Sequence, residues 1–179
     1  WYFSCYVGLD FGDGTSAPKV LNNNGMNASA ACGTISDSRG NLLFYGNHNT
    51  LYNRNHQVMK NGSGLYGHDY VTQGALIVPY PGDTNLYYYF TLYGGLYYHI
   101  IDMRGDKGLG EVVRKNVLLR SDLAKLTAIR HTDKSSVWVV SHSYYNDSFY
   151  SYLITKNGLL NQPVISKTGV NYELWKSYY

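Results

Sequence analysis

One pattern returns three times along this chain and limits what it can fold into. A run of small residues ends in Ile, an aromatic-rich strand follows, and after a turn a second aromatic strand closes the unit. The copies are Cys32–Ile35 with Asn41–Tyr45 and Leu51–Arg54, Gly74–Ile77 with Asn85–Phe90 and Leu96–His99, and Leu126–Ile129 with Val137–Val140 and Phe149–Ile154. The anchors Ile35, Ile77 and Ile129 lie 42 and 52 residues apart. A period of about 40–50 residues carrying several short strands is the mark of a β-propeller blade. The expectation is therefore an all-β chain of about three four-stranded antiparallel blades.

The turn residues support that division. Asp37–Gly40, Pro81–Thr84 and Thr132–Ser136 read as equivalent hairpin turns, Gly94-Gly95 as another, and Lys156–Gly158 as a third kind. Trp1–Phe11 alternates as a strand, and Pro18–Leu21 adds a short one before the Asn22–Gly25 turn. The resulting organisation is an N-terminal strand pair of an incomplete blade in 1–30, then blades in 31–70, 71–122 and 123–169. Residues 170–179 are either the start of a further blade or a tail. Ser121–Lys125 is the one candidate helix, too short to propagate alone, and reads as a connector. Three blades do not close a ring, and six or more at this period need about 250 residues. The chain reads as the N-terminal part of a larger propeller.

Twenty Tyr and 19 Gly with few charges agree with a pleated, aromatic-packed fold. A net charge of +3, with Arg114, Lys115 and Arg120 as the strongest basic group, argues against a nucleic-acid surface. No apolar run reaches the roughly 18 residues of a spanning helix. The chain starts at Trp1, so the compartment is not legible at this end. Asn27, Asn61 and Asn146 begin Asn-x-Ser triplets of the kind expected by chance here. Cys5 and Cys32 are either a disulfide, worth about 3–4 kcal/mol in the loop-entropy picture, or two buried thiols that never meet.

Several stretches resemble one family in order and spacing. They are Thr34–Tyr45, Leu51–Met59, Asn61–Leu65, Thr72–Pro79, Gly108–Val112, Lys115–Leu119, Lys125–His131 and Trp138–His142, with Trp1–Phe3 and Gly8–Phe11 fitting its first strand. Together they resemble the propeller-like N-terminal region of large surface proteins that gliding bacteria export through the type IX secretion system. Members carry a C-terminal sorting domain, often after immunoglobulin-like repeats. The resemblance implies a secreted or cell-surface location on the outside of the outer membrane, and a role in adhesion, surface assembly or gliding. Implied partners are envelope or extracellular proteins or glycans, and the outer-membrane export machinery. It transfers no catalytic residue, and the region around Cys5 and the tail Trp175–Tyr179 depart from it.

Chemistry-bearing residues are sparse. Among six histidines, His48 and His56 are separated by a turn, and His99 and Asp102 point to opposite faces of a strand. His131 and His142 are the one pair placed to meet across a hairpin, without a third ligand. No metal and no cofactor is expected. Asp10, Asp37, Asp69 and Asp102 are the carboxylates available to a glycoside hydrolase, but turn-capping is the competing role. There is no Gly-x-Ser-x-Gly elbow and no phosphate-cradling loop. The runs Tyr87–Tyr89, Tyr97-Tyr98 and Tyr144-Tyr145 place rings on both faces of their strands. Most of these rings belong to the core, while Tyr66, Tyr144 and Tyr145 are the candidate surface contacts. The expected function is a non-enzymatic binding or structural module. The alternatives are a carbohydrate-active propeller enzyme and a cargo or accessory protein held by the export machinery.

Overall fold

The computed structural model describes residues 1–12 and 14–169. The chain is all-β, in several sheets. At the N-terminus β1 (Tyr2–Phe3), β2 (Val7–Asp10) and β3 (Lys19–Leu21) form a small antiparallel sheet. The stretch expected as one strand from Trp1 to Phe11 is thus a hairpin, with Phe3 opposite Val7. Ser4 and Tyr6 make its turn with φ of +53° and +61°, angles that non-glycine residues rarely adopt. Sequence alternation alone does not reveal such a turn.

Three antiparallel meanders follow, two of four strands and one of five. The first holds β4 (Cys32–Ser36), β5 (Leu42–Asn47), β6 (Thr50–Asn53) and β7 (Val58–Ser63). The second holds β8 (Ala75–Pro79), β9 (Leu86–Leu92), β10 (Gly95–Asp102) and β11 (Glu111–Ser121). In the third, β12 (Leu123–Arg130), β13 (Val137–Ser143) and β14 (Ser148–Thr155) are completed by β15 (Gly158–Leu159) and β16 (Val164–Lys167), both paired to β14. A parallel contact at Lys60 and Glu111 joins β7 to β11, making one eight-stranded sheet of the first two meanders. Its end strands β4 and β8 lie alongside each other, so this sheet is nearly closed, like a barrel.

No helix forms at residues 121–125. Ser121 ends β11, Asp122 turns with φ of +62°, and Leu123 opens β12, with a bulge at Lys125. The bulge lets both Leu123 and Leu126 enter the core, which five helical residues could not hold in place. The predicted segment 170–179 lies outside the described residues.

One aspartate closes the first turn of each meander. The Asp37 carboxylate accepts the N–H groups of Arg39 and Asn41, Asp83 that of Asn85, and Asp133 those of Ser135 and Ser136. Each side chain substitutes for a backbone partner and holds the chain reversed. Hydrogen bonds from its turn keep Asp37 below the usual carboxylate range, the Asn41 side-chain bond being the largest effect.

The tyrosine runs are explained by sheets covered on both sides. Tyr87 and Tyr89 pack toward the first meander with Phe44, Leu51, Met59 and Ile101. Tyr88, between them in sequence, turns the other way and joins Phe90, Tyr98, Val139, Tyr150, Tyr152 and Ile154 against the third. Alternation along the strand sends successive rings into two different cores. Tyr2, Met26, Ala28 and Tyr45 make a third cluster beneath the N-terminal sheet.

Candidate functional site

Antiparallel meanders put their turns alternately at two ends. The β13–β14 loop, the β9–β10 turn, the β11–β12 link and the long β7–β8 connection all emerge at the same end. Between the second and third meanders they surround an open groove of about 660 Å³. Its floor is apolar, formed by Val71, Leu92, Leu123 and Ala124, and its walls carry His68, Tyr70, Tyr144 and Tyr145, with Asp122 and Lys125.

Backbone hydrogen bonds lock these loops together. Asp122 donates its N–H to the Gly94 carbonyl at 3.0 Å, and Tyr144 donates to the Asp122 carbonyl at 2.8 Å. His68 is tied to β9 by its N–H to the Leu92 carbonyl at 2.9 Å. Its Nδ1 accepts the Tyr70 N–H at 3.3 Å, so the ring proton of neutral His68 sits on Nε2. The His68 ring stacks on Tyr93 at 6.1 Å with 9° between planes, and Tyr144 meets Tyr145 edge-on at 5.2 Å. Tyr70 is 77 % exposed, Tyr144 57 %, Tyr93 54 % and Tyr145 46 %. Three exposed tyrosine rings lining one depression, with a fourth, Tyr93, stacked against its His68, are far from the usual scattering of lone apolar side chains over a surface.

Of the residues expected to bind, Tyr144 and Tyr145 line this groove. Tyr66 is exposed at the same end but outside it, edge-on to Tyr97 at 5.5 Å, with its N–H donated to Asn116 Oδ1 at 2.8 Å. His68, Tyr70 and Tyr93 were not expected. The signal for Tyr70 was an aromatic in the long connection from residue 64 to 74, since long ordered connections often carry function.

His131 and His142 do not meet. His142 lies opposite Ala124, whereas His131 sits in the turn beyond Arg130 at the other end of the same strand pair. His142 packs on Phe149 at 4.5 Å, and His131 Nδ1 accepts the Asp133 N–H at 3.1 Å. Among the described residues no three His, Cys, Asp or Glu side chains gather as a metal site. Both cysteines are free thiols: Cys5 is exposed, donating to Asn27 Oδ1 at 3.1 Å, and Cys32 is half-buried. No bond joins Cys5 to Cys32 in this structure, and Cys5 lies exposed in its hairpin turn rather than buried.

The four candidate carboxylates are each engaged in hydrogen bonds within the fold. Asp10 accepts the Gly12 N–H at 2.9 Å, and Asp37 caps its turn. Asp69 accepts the Ser29 hydroxyl at 2.7 Å and N–H at 2.9 Å. Asp102 holds Arg104 through two side-chain bonds of 2.8 and 2.9 Å. These bonds stabilise the ionised forms, and Asp69 and Asp102 are accordingly held below the usual range, chiefly by the Ser29 and Arg104 side chains. A glycosidase needs one carboxyl pushed the other way, to serve as its acid. Comparison of the chain with family models, curated proteins and solved structures yields no match.

Proposed function

We propose that this chain is a non-enzymatic binding module, and that the groove between the second and third meanders is where its partner docks. The observation that carries this reading is the set of exposed rings of Tyr70, Tyr144 and Tyr145, with His68, around an apolar floor on loops sewn together by backbone bonds. Rigid amphipathic rings give contact area at little entropic cost and are frequent binding hot spots. Pre-ordered loops lower the cost of association further.

In this reading the three meanders are blades of a larger β-propeller. Support comes from their first strands: β4 lies beside β8, β8 beside β12, and β1 beside β4, as strands around a central axis do. The module belongs to a secreted or cell-surface protein exported by the type IX route and acts in adhesion, surface assembly or gliding. Its partners are envelope or extracellular proteins or glycans. A binding role is favoured over hydrolysis because the candidate carboxylates are spent on turns, on Ser29 and on Arg104. The test is retention of the labelled chain on envelope preparations, with Tyr70→Ala/Tyr144→Ala alongside. Retention that falls tenfold or more in the double variant supports the site. Undiminished retention, or release of new reducing ends from the glycan, overturns it.

A further inference from the structure

A second cleft, of about 480 Å³, opens between the same two meanders toward the opposite end, where Tyr80, Tyr88, Tyr98 and Arg114 face Asn157 and Asn161. Its chemistry differs from the groove's. Tyr80 and Tyr88 stack in parallel at 5.4 Å with 9° between planes, so their hydroxyls lie side by side above Gly158. Tyr88 Oη accepts the Leu159 N–H at 3.2 Å, which leaves its own proton undirected. The hydroxyls of Tyr80 and Tyr98 make no hydrogen bond among the described residues, and both residues line the cleft. Burial pushes Tyr88 up to about 12, so it stays a donor at any ordinary pH.

The charge is equally unspent. Arg114 has no carboxylate within ion-pair distance among the described residues. It nevertheless lies near enough to Tyr88 to favour negative charge there. The carboxylate of the adjoining turn, Asp83, is directed to Arg104 at 3.4 Å. A guanidinium, three phenol hydroxyls and two amides thus converge on a space larger than an inorganic anion needs, within the range of small-molecule sites. Tyrosine rings supply apolar wall for the face of a sugar ring.

We propose that this cleft binds an anionic sugar residue, a uronate or sulfated hexose, with Arg114 paired to the anionic group and the tyrosine hydroxyls donating to it. Charge-assisted bonds to a guanidinium are about twice as strong as neutral ones and are geometrically selective. The site is distinct from the groove, and its failure leaves the groove's function untouched.

The test is ¹⁵N-detected titration of the full chain with glucuronate, glucose 6-sulfate, glucose and inorganic sulfate. Expected are shifts at the Asn157 and Asn161 amides with both anionic sugars, at affinities at least tenfold above those for glucose or for sulfate alone. Arg114→Gln and Tyr98→Phe should each weaken glucuronate by about tenfold. Arg114 is solvent-exposed and Tyr98→Phe keeps the ring, so both variants retain the fold. The proposal is overturned if glucose binds equally well, if sulfate alone accounts for the affinity, or if Arg114→Gln leaves binding unchanged.

Discussion

Mild acidification should destabilise this protein through one buried histidine. His99, on β10, is fully buried. Its Nδ1 accepts the Asn116 N–H at 3.0 Å, so the proton of the neutral ring lies on Nε2 and is donated to Thr91 Oγ1 at 2.9 Å. The Thr91 hydroxyl passes its own proton to the Tyr66 carbonyl. The Asn116 side chain closes the network, accepting from the Tyr66 N–H and donating to the Gly64 carbonyl at 2.9 Å. Protonating Nδ1 would set two donors against each other in a dry site. Burial first, and the Lys115 charge second, push His99 down to about 3.

Because the folded value lies below the unfolded 6.5, the unfolded chain binds the extra proton. The stability tied to neutral His99 is complete above pH 6.5 and drains away as pH falls toward 3. At about 1.4 kcal/mol per pH unit once below the unfolded value, the loss from pH 7 to pH 5 is about 2 kcal/mol. Urea unfolding at pH 7, 6 and 5 measures it. The His99→Gln variant should start less stable but lose about 2 kcal/mol less over that window. His56 is also lowered by burial and acts in the same direction, but it is present in both proteins and cancels in the difference. Equal pH slopes in the two proteins would refute the reasoning, as would an NMR titration placing the His99 midpoint near 6.5.

A Cβ at Gly67 would lie 2.1 Å from the His48 carbonyl oxygen, so Gly67→Ala should lower stability by about 1–3 kcal/mol in thermal unfolding. Tyr89 is wholly buried and donates to the Asn47 carbonyl at 2.8 Å. Tyr89→Phe should remove about 1 kcal/mol and Tyr89→Ala about 3–5 kcal/mol, read from denaturant midpoints. Brief maleimide treatment of the native protein should add one label, at Cys5, and a second at Cys32 only after unfolding. Absence of any labelling without reductant would revive the disulfide.

The strands, their turns and the threefold recurrence were legible because they are local. Alternation of period two marks a strand wherever it sits, and Asp37, Asp83 and Asp133 cap their turns with bonds only two to four residues long. A β-rich chain of repeating meanders was therefore determined by the residues alone. Left-handed turns at Ser4 and Tyr6, and at Asp122, escaped because their residues give no glycine or proline signal.

Tertiary packing decided the rest. Period two states that Tyr87 and Tyr88 face opposite ways, but not that another sheet waits on each side to bury both. His131 and His142 were separated by strand register, and Tyr66 was turned to Tyr97, away from the groove. Tyr70, Tyr144 and Tyr145 became neighbours of one depression only when two sheets stacked and brought loops from far apart in sequence to one end. That proximity depends on how whole sheets lie against each other, a relation that local residue patterns do not encode.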